Sequence, residues 1–404
     1  MLKKDPNELT RDDFTKIIKL DLSGKKLSDI RFLKKLINLE DLNLSRINIA
    51  VNEKPIWRAV LERLHIIKSP NNTRINVTSQ RRSPISPSSG SEKYFLDLNP
   101  LKKLTKLQTL NLNFTRIKNT KSLSTLSNLR ELDLNYTTIS DLKALKGLKN
   151  LRRLSFQQTS ISSIEPITYL VKLEILDLRH TSVTNLEPIR NLTNLIELYL
   201  GETKVSNIES IENLTKLRVL NVNKTKINNL EALSGLNLIS LDVIGTQVTD
   251  LNPIRRHTSL ERLEISETLV SDLTPINGLT NLHELYLHNT NVSDLSPLKE
   301  CVNMLGLNFS STNVTDLEPI KGMTNLTSLA FESTQVTDLE SLKNMKKLRM
   351  LYMNNTQVSD MEPIKLLSNL QFLYKENCPQ IKDEQIKELL KILPKLNIVS
   401  GPKR

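Results

Sequence analysis

Between Leu282 and Leu298 the chain reads L-x-x-L-x-L-x-x-T-x-V-x-D-L-x-P-L. Leu285 and Leu287 alternate around Tyr286, which predicts a strand with one buried face. Val292, Leu295 and Leu298 then follow at spacings of three. That spacing predicts a short 3₁₀-type turn, in which side chains at i and i+3 eclipse. Asp294 stands ahead of the turn to cap its freed N–H groups, and Pro297 sits where no N–H is needed. The same pair returns at Asp272/Pro275, Asp316/Pro319 and Asp360/Pro363. Each unit is therefore one strand plus one tight return, with a leucine edge that is buried only when copies stack.

A threonine marks the period. It stands at Thr115, Thr137, Thr159, Thr181, Thr203, Thr225, Thr246, Thr268, Thr290, Thr312, Thr334 and Thr356. Every interval is 22 residues except Thr225 to Thr246, which is 21. Such a period predicts a solenoid, so function is to be sought on a repeated surface. The threonine hydroxyl, with one donor and two lone pairs, is expected to satisfy turn backbone groups of its own and adjacent coils. The short interval near Gly235-Leu236-Asn237-Leu238, together with His257 in a core leucine register, predicts a local kink.

These residues resemble the leucine-rich-repeat family, in its 22-residue class shared by bacterial internalins and the phosphatase-regulating repeat proteins of eukaryotes. The resemblance covers about residues 17–49 and 96–378. One departure is systematic: threonine occupies the register where those groups usually carry asparagine. The resemblance implies an α/β solenoid, a right-handed horseshoe with a parallel concave sheet and short 3₁₀ turns on the convex side. It also implies protein binding as the default role.

The repeat pattern divides the chain into an N-terminal cap (1–19), repeats (20–49), an insertion (50–95), further repeats (96–378) and a C-terminal helical cap (379–404). Thr10 and Asp13 have capping-box spacing before Phe14, Ile17 and Ile18. In the insertion, Trp57, Val60, Leu61 and Leu64 form one face of a short helix, followed by a Ser/Pro/Asn/Arg-rich loop expected to be disordered. The insertion is basic, with eight Lys/Arg and two Asp/Glu from Lys54 to Lys93. At the far end Asp383 is the expected N-cap of a helix with Ile386, Leu389, Leu390 and Leu393 on one face, stopped by Pro394. The pattern yields about 15 strands, a sheet on the order of 65 Å long.

Composition refines this picture. Hydrophobic residues make up 38% of the chain and aromatic ones only 4%, so leucine and isoleucine fill thin coils. Neither Cys301, in a core leucine register, nor Cys378, in the threonine register, is placed for a disulfide, which points to a reducing compartment. No signal-peptide or membrane-spanning run is visible, so a cytoplasmic location is expected, non-classical export remaining open. Phosphate-loop, dinucleotide and nucleophile-elbow motifs are absent. His283 and His288 flank a strand, are one place too far apart for a zinc-protease pair, and point to opposite faces. A non-enzymatic protein without cofactor or metal is expected, and a monomer.

Net charge is +12, which alone suggests nucleic acid or an anionic membrane as partner. The outward strand positions reverse this. From the repeat ending at Thr115 to that ending at Cys378 they hold eleven acidic side chains and four basic ones. Five of the seven tyrosines occupy the same positions. The candidate partner-contact set is Tyr199, Asp242, Glu264, Glu267, Glu284, Tyr286, Tyr352 and Tyr374, offering a basic protein segment both charge and ring faces. Attachment of the basic outer surface to nucleic acid or anionic membrane is the alternative, and adhesion or host interaction of internalin type a third reading.

Overall fold

The computed structural model describes residues 14–27, 29–49, 95–117 and 119–399. They belong to two compact units, Met1–Asp177 and Leu178–Arg404. In the first unit, parallel strands Lys19–Asp21, Asp41–Asn43, Thr109–Asn111, Glu131–Asp133, Arg153–Ser155 and Ile175–Asp177 pair in chain order. Two-residue strands Lys26–Leu27 and Asn48–Ile49 pair beside them. In the second unit the parallel order is Glu197–Tyr199, Val219–Asn221, Ser240–Asp242, Arg262–Glu264, Glu284–Tyr286, Gly306–Asn308, Ser328–Ala330, Met350–Tyr352, Phe372–Tyr374 and Asn397–Val399. Short 3₁₀ turns join the strands, such as Ser296–Leu298 with Pro297 early in it.

Each coil follows from its residues. The central leucine of the strand points inward and is buried, as at Leu241, Leu263 and Leu285, while its neighbours face outward. The chain then reverses through a residue in the left-handed region: Glu202, Lys224, Glu267, Asn289, Ser311, Ser333 and Asn355 all have φ between 50° and 56°. Non-glycine residues adopt this region only at a cost, of roughly 1–2 kcal/mol each. The threonine that follows holds the reversal. In the second unit the hydroxyls of Thr181, Thr203, Thr225, Thr246, Thr268, Thr290, Thr312, Thr334 and Thr356 donate to the carbonyl three residues back, at 2.6–2.8 Å. The expected bonding to adjacent coils is thus corrected: each of these threonines ties its own coil. Thr115 alone among the turn threonines reaches a neighbouring coil's carbonyl, that of Leu44 at 3.2 Å.

Asparagine makes the bond between coils. The side-chain amides of Asn281, Asn303, Asn325 and Asn369 donate to the carbonyls of Thr258, Thr280, Val302 and Lys346 on the preceding coil. Asn38, Asn128 and Asn150 do the same in the first unit. On the opposite flank the predicted aspartate caps are present: Asp272, Asp294, Asp316, Asp338 and Asp360 accept the N–H two residues on, at 2.8 Å.

The 21-residue interval has a specific repair. His257, fully buried, stands in the leucine register; its Nε2 lies 2.9 Å from the Leu233 carbonyl, and its Nδ1 accepts the Leu238 N–H at 3.4 Å. The imidazole satisfies backbone groups on either side of the shortened turn.

Insertion residues 50–94 lie outside the described residues, as does the Thr10/Asp13 pair. The strand at Asp41–Asn43 pairs directly with Thr109–Asn111, so the chain re-enters on the next coil. The C-terminal helix runs Asp383–Ile392, and its N-cap is Lys382, not Asp383. The Gln385 side-chain oxygen accepts the Lys382 N–H at 2.9 Å. A strand the repeat count did not foresee, Asn397–Val399, follows it and pairs with Phe372–Tyr374. Cys301 and Cys378 are free and buried; burial pushes the Cys301 thiol up to about 11. No helix among the described residues is long and apolar enough to cross a membrane.

Candidate functional site

The outward strand positions of the second unit form its exposed strand face. Strand register brings Asp242, Glu264 and Tyr286 into one row, and Ser240, Arg262 and Glu284 into the row beside it. Asp242, Glu264, Glu284 and Tyr286 therefore share one patch. Glu267 lies at its rim, 3.9 Å from His288 Nε2. Tyr199 stands two strands to one side of Asp242, and Tyr352 three strands to the other side of Tyr286.

Arg262 organises this patch. Its guanidinium pairs with Glu284, approaches Glu264 at 3.6 Å, and lies over the Tyr286 ring, 4.8 Å from the centroid. In the sequence the Tyr286 ring face and the Glu284 carboxylate read as open to a partner's cation. The chain's own arginine takes both. Tyr199 repeats the arrangement: Arg179 lies 5.1 Å from its ring centroid, and its hydroxyl donates to Glu197 at 2.7 Å.

The acids are not equivalent. Glu264 is only 5% exposed and accepts from the Ser266 hydroxyl at 2.6 Å. Burial, with a smaller push from Asp242, raises its carboxyl to about 7. It is part-protonated near neutral pH and contributes less charge than its sequence suggests. Asp242 also sits above the usual carboxylate range because it is desolvated. Its carboxylate accepts the Ile244 N–H at 3.1 Å and the Asn223 amide at 3.3 Å. Such Asx-type bonds end the strand, so Asp242 closes the coil as well as charging the face.

The far end of the face is aromatic. Tyr352 and Tyr374 stack with centroids 4.2 Å apart. Met350 and Phe372 pair in the adjacent row, and Phe372 is 36% exposed. Sequence reasoning picked out the two tyrosines but not Met350, nor the small residues Gly306, Ser328 and Ala330 between them and Tyr286. Their signal was available: two consecutive strands, Gly306–Asn308 and Ser328–Ala330, carry neither bulky nor charged residues at their outward positions.

Leucine-registered parallel strands, 3₁₀ returns and asparagine ties between coils make this chain a leucine-rich-repeat protein. A family model described as two copies of leucine-rich repeats matches residues 105–147 and 258–300. Among solved structures the chain is similar to an internalin, InlF, of Listeria monocytogenes, at 26% identity over 98% of this chain and 90% of that one, with TM-score 0.59. It is also similar to a leucine-rich-repeat protein of Leptospira interrogans, at 22% identity, 96% and 97% coverage and TM-score 0.63. A plant peptide hormone receptor, RGFR1, solved in complex with RGF2, matches at 16% identity, 96% and 67% coverage and TM-score 0.64. No curated protein sequence matches the chain.

Proposed function

We propose that the protein is a non-enzymatic scaffold that binds a protein partner through the strand face of its second unit. The observation that carries this reading is the concentration of half-exposed tyrosines and acids on that one face. Tyr199, Tyr286, Tyr352 and Tyr374 all point outward there, and the outward and rim positions hold eight acidic residues against three basic ones. Tyrosine brings apolar area with a polar tip and dominates binding hot spots. The charge favours a basic partner, or one with a basic segment, even after Arg262 and Glu264 have reduced it. Binding by other leucine-rich-repeat proteins, such as the receptor captured with its peptide hormone, supports the same reading at the level of fold.

Affinity capture with the intact protein, a Tyr286→Ala, Tyr352→Ala variant and a Lys321→Glu, Lys343→Glu variant tests this. Proteins lost with the tyrosine variant but kept by the lysine variant support strand-face binding. The reverse pattern would transfer the function to the 3₁₀ turns, where Lys321 pairs with Glu318 and Lys343 with Glu340.

A further inference from the structure

We infer that the strand face carries a docking trough for a polypeptide segment. The segment seats one bulky apolar side chain over Gly306, Ser328 and Ala330, and sets a lysine or arginine against Glu332. This deepens the strand-face reading and rests on it. Strand register places Glu284, Gly306, Ser328 and Met350 in one row, and Tyr286, Asn308, Ala330 and Tyr352 in the next. Gly306, Ser328 and Ala330 thus lie low between two strands of large outward residues; Ser328 is half-exposed, while Gly306 and Ala330 are buried beneath their taller neighbours. The walls are three strand spacings apart, about 14 Å between backbones.

The walls are built for contact. On one side the Tyr286 hydroxyl leans over Gly306, where an added Cβ would meet it at 3.6 Å. On the other, the Tyr352 hydroxyl rests 3.5 Å from the Met350 sulfur, and the Tyr352 ring is braced by its stack on Tyr374. Ordered aromatic and thioether surface is therefore displayed outward, continued by Phe372. Such surface is characteristic of protein contacts when it is held rigid before binding.

Charge and shape select the occupant. From the Glu284 coil to the Glu376 coil, the outward and rim positions carry Glu284, Glu332 and Glu376 and no lysine or arginine. Glu284 is already matched by Arg262, while Glu332 is held by the Asn354 amide. A nucleic acid backbone would meet Glu332 and Glu376 without a compensating cation. A peptide chain with one large apolar side chain and a neighbouring cation complements both walls and the charge.

The probe is a random peptide library displayed on phage, panned against the full chain, with selected peptides then titrated as free peptides. Selected peptides should pair an aromatic or long aliphatic side chain with Lys or Arg. Ser328→Arg, which places bulk and a cation on the floor, should weaken them roughly tenfold or more. Glu332→Lys should do likewise, with melting temperatures recorded to confirm that both variants fold. Acid-rich selected peptides, or peptides that bind both variants as well as wild type, overturn the trough. In the latter case, loss on Tyr199→Ala would leave the strand-face reading standing. Loss only on Lys321→Glu, Lys343→Glu would remove that reading as well.

Discussion

Arg262 covers Tyr286 on the adjacent strand, its guanidinium 4.8 Å from the ring centroid, while pairing with Glu284. A cation from a partner must displace this arginine or bind elsewhere. Arg262→Ala is therefore expected to raise affinity for a basic partner segment, since a cation–π contact contributes about 0.5–2 kcal/mol. Calorimetric titration at low salt checks this. Unchanged affinity would mean that the partner does not use the Tyr286 ring.

Thr203→Val keeps the shape of the turn residue and removes its hydroxyl. The Leu200 carbonyl loses a bond of 2.7 Å but still receives the Thr203 N–H at 3.2 Å. The expected cost is thus near the low end for a buried hydrogen bond, about 1 kcal/mol. Denaturant melts measure it. Stability equal to wild type would reduce the threonine series to a matter of shape.

His257 makes stability depend on pH. Desolvation lowers its imidazole below 6.5, so the folded state binds fewer protons than the unfolded state. Stability is then present above about pH 6.5 and declines as pH falls toward the folded value. His257→Leu restores the repeat's usual residue, yet it should lower stability by roughly 2 kcal/mol by leaving backbone groups unpaired, and should flatten this acid limb. Thermal melts from pH 5 to 8 test both statements.

Glu264 has the opposite sign. Its carboxyl is raised to about 7 from 4.5, so the folded state holds the proton more tightly. The group stabilises most below about pH 4.5 and loses that contribution as pH rises through 7. Glu264→Gln keeps an acceptor for Ser266 and removes the buried charge. It should stabilise by about 2 kcal/mol at pH 8 and have little effect at pH 5.

Strands and turns were legible because leucine spacing, and the aspartate and proline that recur in many of the returns, are local signals. The Arg262–Glu284 pair was not. It joins residues 22 apart, and only stacking makes them neighbours. The burial of Glu264 was hidden for the same reason, since alternation marks it outward and only Ser266 and the adjacent strands enclose it. Asn281, like its equivalents, reads as an ordinary polar residue before a leucine. Its bond to the Thr258 carbonyl exists only between coils. The strand at Asn397–Val399 follows a helix and breaks the period, so no repeat count could reach it.

The central claim is that a protein partner binds the strand face of the second unit. Its most direct test is the dissociation constant of the captured partner for wild type, Tyr286→Ala, and Lys321→Glu with Lys343→Glu. Tyr286→Ala should cost more than about 1 kcal/mol, a loss of roughly fivefold or greater, with melting temperature nearly unchanged. The lysine variant should bind nearly as wild type. Normal binding by Tyr286→Ala with loss on the lysine variant would contradict the account.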